Sequence, residues 1–184
     1  MVAMMGSDTV IAAAGNRLKE ERMAEKCLLI VDVQRGFINQ WTAHIPAAVE
    51  ALQGGFERVV ATRFFNPEGS FYRRLIGWQR FAKESDDFPL AFRPAAGAPV
   101  IDKPTYTCVG PEFLKTLAGW GVGRVHICGI ATDNCVLKCA VDLFEVGIEP
   151  VVLANASASH GGPDCHAAGI KILQRFIGAK QVVY

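Results

Sequence analysis

RVHICGIATDNCVLKCAVDLFEVG, residues 124–147, opens on an apolar run, breaks at Gly-Ile-Ala-Thr, and continues with apolar residues at helical spacing. Arg124–Ile130 has the length and Val/Ile content of a strand buried on both faces. From Asp133 to Gly147 the residues Val136, Ala140, Leu143 and Phe144 fall on one helical face, and Gly147 stands where a helix would stop. A buried strand passing through a tight turn into an amphipathic helix is half of a β-α-β unit. The stretch therefore predicts a parallel sheet.

The same alternation extends outward in both directions. CLLIVDV (Cys27–Val33), ERVVATRF around Val59 and Val60, APVIDK (Ala98–Lys103), EPVVLAN (Glu149–Asn155) and KQVVY (Lys180–Tyr184) bring the buried-strand runs to six. Between them lie the helix-period segments IPAAVEALQ, GPEFLKTLAGW and HAAGIKILQRFIG, the last closed by Gly178. The expectation is a single three-layer, doubly wound α/β domain over residues 27–184, with a six-stranded parallel sheet and helices on both faces. GWGVG (Gly119–Gly123) mimics a dinucleotide glycine pattern but precedes a strand, so it reads as an α-to-β turn. The stretch 66–97 is irregular, with a short aromatic helix expected around Tyr72–Trp78. Residues 1–26 read as a flexible N-terminal extension, with Met23 as an alternative start.

Composition narrows the function class. The 184 residues are 51% hydrophobic and 20% charged, which argues against disorder. Nineteen basic and eighteen acidic residues give a formal charge of +1, too little field to gather DNA or an anionic membrane. No apolar run approaches the ~20 residues of a bilayer span. The start, MVAMMGSDTVIAAAG, has Asp8 in its apolar part and no basic residue before it, a poor signal peptide. Six cysteines without a CxxC pair suit the reduced thiols of a cytoplasmic protein. A small molecule is the expected partner, not nucleic acid or membrane.

Ligands of open α/β sheets bind beyond the carboxyl ends of the strands. Asp32 ends the first run, Lys103 ends the third, and Cys135 follows the fourth at the start of a helix, so a carboxylate, an ammonium and a thiol converge on one rim. A thiolate is the useful nucleophile, and a helix amino terminus with a nearby ammonium is expected to lower a Cys pKa below its free value of ~8.5. Asp32 can accept the thiol proton and return it to a leaving amine, while backbone N–H groups before Cys135 hold an oxyanion. Together these groups suffice for nucleophilic acyl transfer without a cofactor.

VDVQRGFIN, the Lys of IDKPTYTC, and GIATDNCV resemble the isochorismatase-like cysteine hydrolases, a superfamily that includes nicotinamidases and carbamoylsarcosine amidases. The resemblance runs from Cys27 to Tyr184. It implies a catalytic triad of Asp32, Lys103 and Cys135, a cis peptide between Ile130 and Ala131, and an oxyanion hole from the N–H groups of Ala131 and Cys135. It also implies a homodimer or homotetramer. Nicotinamidases follow the second strand with an Asp-x-His pair and a later His that bind a metal ion; here the stretch is TRFFNPEGSFYRR, and no metal is expected. The implied reaction is hydrolysis of a small amide, carbamoyl or related carbonyl compound through a thioester. Phe37, Trp41, Phe64, Tyr106 and Phe71 are candidate pocket walls.

Other readings stand beside this one. A catalytically silent binding or scaffold protein of the same fold would predict no fast-reacting thiol, and a nicotinamidase despite the missing metal motif would predict ammonia release from nicotinamide. A thiol redox protein would pair Cys135 with Cys139. Cys128, Cys139, Cys165 and His166 are expected to pack rather than to bind metal, and His160 to be a solvated loop residue.

Overall fold

β1 (Cys27–Val31) runs through the centre of the sheet with all five residues buried. The computed structural model describes residues 26–184; the expectations for the residues before these, Met23 among them, lie outside the described residues. The other strands are β2 (Arg58–Phe64), β3 (Val100–Lys103), β4 (Arg124–Ile130), β5 (Glu149–Ala158) and β6 (Val182–Val183). They form one parallel sheet in the order β3-β2-β1-β4-β5-β6. The order reverses between β1 and β4, which opens a crevice at their carboxyl ends.

The pleat of β1 sorts its residues between two cores. Leu28 and Ile30 pack with Val33, Ile45, Val49, Phe64, Phe81 and Ile130, beneath α1 (Ile45–Leu52) and the 66–97 segment. Leu29 and Val31 pack on the opposite face with Leu117, Leu143 and Leu173. Those three come from α3 (Pro111–Trp120), α4 (Leu137–Glu145) and α5 (Pro163–Phe176). The fold is thus a three-layer α/β domain, as the alternation of runs implies.

Several boundaries differ from the sequence reading. The expected aromatic helix around Tyr72–Trp78 is α2 (Phe71–Leu75), cut short by a left-handed Gly77. β3 starts at Val100 rather than Ala98, and β5 runs on to Ala158 past a register shift opposite β4. The expected helix from Asp133 begins as a π-helical turn, Thr132–Val136, before α4 proper. Phe144 does not join its buried face: it is 52% exposed, and Cys139 takes the inward place beside Ala140 and Leu143. A 3.6-residue period leaves the edges of an apolar stripe undecided, and Phe144 falls off that edge. Gly121, inside GWGVG, is the left-handed cap of α3.

Candidate active site

Asp32 follows the last residue of β1 and adopts a left-handed backbone, φ 49°. Its side chain is fully buried. Oδ1 accepts from the Thr62 hydroxyl at 2.6 Å, and the same hydroxyl oxygen accepts from the Asp32 N–H at 3.1 Å. Oδ2 accepts from Lys103 Nζ, also at 2.6 Å. Lys103 ends β3 and is 3% exposed; its remaining donors reach the carbonyls of Thr105 at 2.9 Å and Tyr106 at 3.0 Å. Burial is the largest influence and works against its charge; the Asp32 carboxylate, Cys135 and Cys139 together outweigh burial and hold the ammonium above the usual lysine range.

Cys135 lies in the π-helical turn after β4, 6% exposed. Its neighbours place it beside both charges, and the expected lowering of its pKa is reversed. Burial pushes the thiol well above its ordinary value; Lys103 pulls it down, and Asp32 pushes it up again. The sequence places a cation near the thiol but does not show how little water reaches it, and desolvation wins. The resting group at Cys135 is a neutral thiol next to a carboxylate.

The turn is held from behind. Asn134 and Val136 both donate to the Ala131 carbonyl, at 3.0 and 3.1 Å, and the Ile130–Ala131 peptide is cis. Gly129 passes so close to β1 that a Cβ would lie 2.1 Å from the Val31 carbonyl oxygen. Gly169 of α5 packs on the turn itself, where a Cβ would meet Asp133 Cα and N at 2.8 Å. The Thr132 hydroxyl and His166 Nδ1 are 2.8 Å apart, a second tie between this helix and the turn. Gln34, buried after β1, bonds the N–H and C=O of Phe64 and the carbonyl of Phe88. Thr62, Gln34, His166 and Gly169 escape a sequence reading, because each acts across 30 or more residues; only a Gly inside a helical pattern is a local signal.

The thiol opens onto a cleft lined by Phe37, Phe64, Tyr72, Trp78, Tyr106, Ala131, Asn134 and His160. Its enclosed room is about 20 Å³, space for one water, and it measures about 330 Å³ counted out to the open mouth. Phe37, Phe64 and Tyr106 therefore stand where the sequence reading put them. Trp41 does not: it is 43% exposed and lies over Gly162 in a separate groove with His44 and His166. Phe71 points to solvent, 66% exposed. Tyr72, on α2, and Trp78, just after the turn at Gly77, take the wall positions. His160, expected to be solvated, is half-buried against Phe37 and Trp78, ring centroids 5.0 and 5.7 Å apart.

The cysteine beside Cys139 is Cys108. The Cys139 sulfur lies 3.9 Å from it and 3.8 Å from the Tyr106 carbonyl. A metal site of the nicotinamidase kind does not fit these residues. β2 is followed by Phe65 and Asn66, and the Asn66 amide is committed: Nδ2 donates to the carbonyls of Trp78 and Arg80, at 2.6 and 3.1 Å, and Oδ1 accepts from Ser70 at 2.5 Å. Among the described residues no three His, Cys, Asp or Glu side chains are grouped to hold a metal ion. No helix of the described residues is long and apolar enough to cross a membrane.

Comparison with known proteins agrees with this architecture. The chain is 31% identical over 150 residues to the ureidoacrylate amidohydrolase RutB of Methylobacterium radiotolerans, covering 77% of this chain and 54% of the relative, so it spans about half of that protein. It is 25% identical to the nicotinamidase of Acinetobacter baylyi, over 82% of this chain and 93% of that one. The pyrazinamidase of Pyrococcus horikoshii, solved in complex with zinc, superposes with a TM-score of 0.74 at 26% identity, covering 87% of this chain and 99% of that one. A family model described as the isochorismatase domain matches residues 26–181, and the chain belongs to that family.

Proposed function

We propose that this enzyme hydrolyses a small amide, carbamoyl or related carbonyl compound, with Cys135 as nucleophile, Asp32 as proton carrier and Lys103 as its electrostatic partner. Amide hydrolysis in general is supported by the amidohydrolase and nicotinamidase relatives. The finer assignment rests on one observation: a buried Lys103–Asp32 ion pair lies beside a buried thiol at the floor of an aromatic cleft.

The steps follow from the resting state. Asp32 takes the Cys135 proton as Sγ bonds to the substrate carbonyl carbon, and the carbonyl electron pair moves onto oxygen. The N–H groups of Ala131 and Cys135 receive that oxyanion. When the pair returns, the C–N bond breaks, and Asp32 gives its proton to the departing nitrogen. A thioester remains. Water attacks it and passes a proton to Asp32; as the C–S bond breaks, Asp32 returns that proton to Sγ, which releases the acid and restores both the thiol and the carboxylate. Lys103 sets a cation against the carboxylate and aims it through the 2.6 Å contact.

Ammonia release from a panel of small amides, ureides and carbamoyl compounds tests the reading. Turnover by the wild-type protein that disappears in Cys135→Ala, with the thermal transition retained, is the expected result. A Cys135→Ala protein that still turns over at the wild-type rate overturns the nucleophile.

A further inference from the structure

Cys108 and Cys139 bring their sulfurs to 3.9 Å although 31 positions separate them in the chain. Cys139 lies inside α4, fully buried and one helical turn after Cys135. Cys108 is half-buried in the loop 104–110 between β3 and α3, and lines an open groove of about 390 Å³ with Val60, Ile101, Pro111 and Phe113. The Cys139 sulfur also reaches the Tyr106 carbonyl, at 3.8 Å, and Lys103 Nζ donates to that same carbonyl at 3.0 Å. The proposed hydrolysis uses neither sulfur. The pair stands outside the catalytic residues, yet it joins two elements that build their site.

A disulfide bond is about 2.05 Å long, so the two sulfurs have about 1.9 Å left to travel. The side-chain hydrogen bonds of the loop are local: Thr105 Oγ1 donates to the Thr107 carbonyl at 2.8 Å, and the Val109 N–H donates to Thr107 Oγ1 at 3.0 Å. Such a loop can shift as a unit toward α4. The hydrogen bond from Cys108 pulls the Cys139 thiol below its ordinary value; burial opposes this, and Lys103 pulls the same way. Cys108, the donor, is pushed well up by that bond and by burial. One proton is thus shared between two sulfurs, and the anion rests on Cys139. A thiolate is the form that attacks an oxidised sulfur, and here it already faces its target.

We propose that Cys108 and Cys139 are a redox modification site, at which a hydroperoxide reversibly converts the two thiols to a disulfide that pins the 104–110 loop to α4. The hydroperoxide enters by the groove and meets Cys108. Its terminal oxygen passes to Cys108 Sγ as the O–O bond breaks, which leaves a sulfenic acid and releases water or an alcohol. Cys139 Sγ then attacks Cys108 Sγ: the S–S bond forms, the S–O bond breaks, and the departing hydroxide takes up the proton that Cys139 gave up. Two electrons have passed from the sulfurs to the peroxide. A small dithiol reverses the change by exchange and is itself oxidised to a disulfide. Tyr106, a wall of the cleft two residues before Cys108, is carried with the loop. The site stands whether or not the hydrolytic reading holds.

Hydrogen peroxide is the probe, applied to the full chain carrying Cys135→Ala so that oxidation of that thiol does not enter. Of the six cysteines, five then remain, and the titratable thiols should fall from five to three. A peptide map without reductant should join Cys108 to Cys139. The thermal midpoint should rise by about 5 °C, because the bridge constrains the unfolded chain, and dithiothreitol should restore both the five thiols and the lower midpoint. Adding Cys108→Ala or Cys139→Ala should abolish the rise. The same map on the wild-type protein gives the linkage independently of the Cys135 substitution. Absence of the 108–139 linkage, a main product that joins another cysteine or two chains, an unchanged or lower midpoint, or a linkage that dithiothreitol does not reverse would each overturn the proposal.

Discussion

The Lys103 ammonium lies 2.6 Å from Oδ2 of Asp32, with the two side chains 3% and 0% exposed. One comes from the end of β3 and the other from just beyond β1, with β2 between them. The contact therefore spans a full strand and closes the floor of the site from two sides. Thr62 on the intervening strand holds the second carboxylate oxygen. An ion pair this deep has few alternatives once one member is removed.

Lys103→Met should destabilise the fold by about 3–5 kcal/mol, because a buried carboxylate then lacks its cation. Urea unfolding at pH 7 measures it. The wild-type contribution has a defined pH window. The folded lysine pKa is raised, so the stability is fully present below the ordinary value of ~10.4 and is lost only as pH rises through the folded value. A variant as stable as wild type at pH 7 would contradict the ion-pair account.

Alkylation of Cys135 by iodoacetamide should quicken with pH, about tenfold per unit between pH 7 and 9, because burial raises the thiol and only the thiolate reacts. Lys103→Met should slow it further at every pH in that range, the cation being the group that lowers this pKa. Mass mapping of the labelled cysteine gives the rate. A rate already flat at pH 7 would mean a thiolate in the resting protein, contrary to the burial argument.

Gly169→Ala should cost about 1–3 kcal/mol and reduce turnover together with stability. The new methyl meets Asp133 Cα and N at 2.8 Å, which are backbone atoms, so α5 and the turn carrying Cys135 must separate. Gly119→Ala is the control, since a Cβ there has open space. Equal melting temperatures for the two variants would remove the claim of close approach.

Activity should survive exhaustive EDTA treatment. The expectation follows from Asn66, whose amide is consumed by Trp78, Arg80 and Ser70, and from Phe64 and Phe65 beside it, which offer no ligand atom. Ammonia assays before and after chelation, with elemental analysis of the purified protein, decide it. One tightly held metal per chain, with activity lost on its removal, would refute this.

The sequence alone determined the parallel sheet, because five consecutive buried residues such as Cys27–Val31 leave no polar face for water and must be covered on both sides. It also placed Asp32, Lys103 and Cys135 on one rim, since each sits at or just after a strand's carboxyl end and strands of a parallel sheet end on one side. Tertiary structure decided what those residues experience. A cation near a thiol reads as activation in a sequence, yet the exclusion of water around Cys135 reverses the sign, and burial is a property of the packed whole. Trp41 and Phe71 read as pocket walls by position, while Trp78, just after the turn at Gly77, takes a wall position and Phe71 stands in solvent. Thr62 and Gln34 have no local pattern because each acts on atoms supplied by a distant part of the chain.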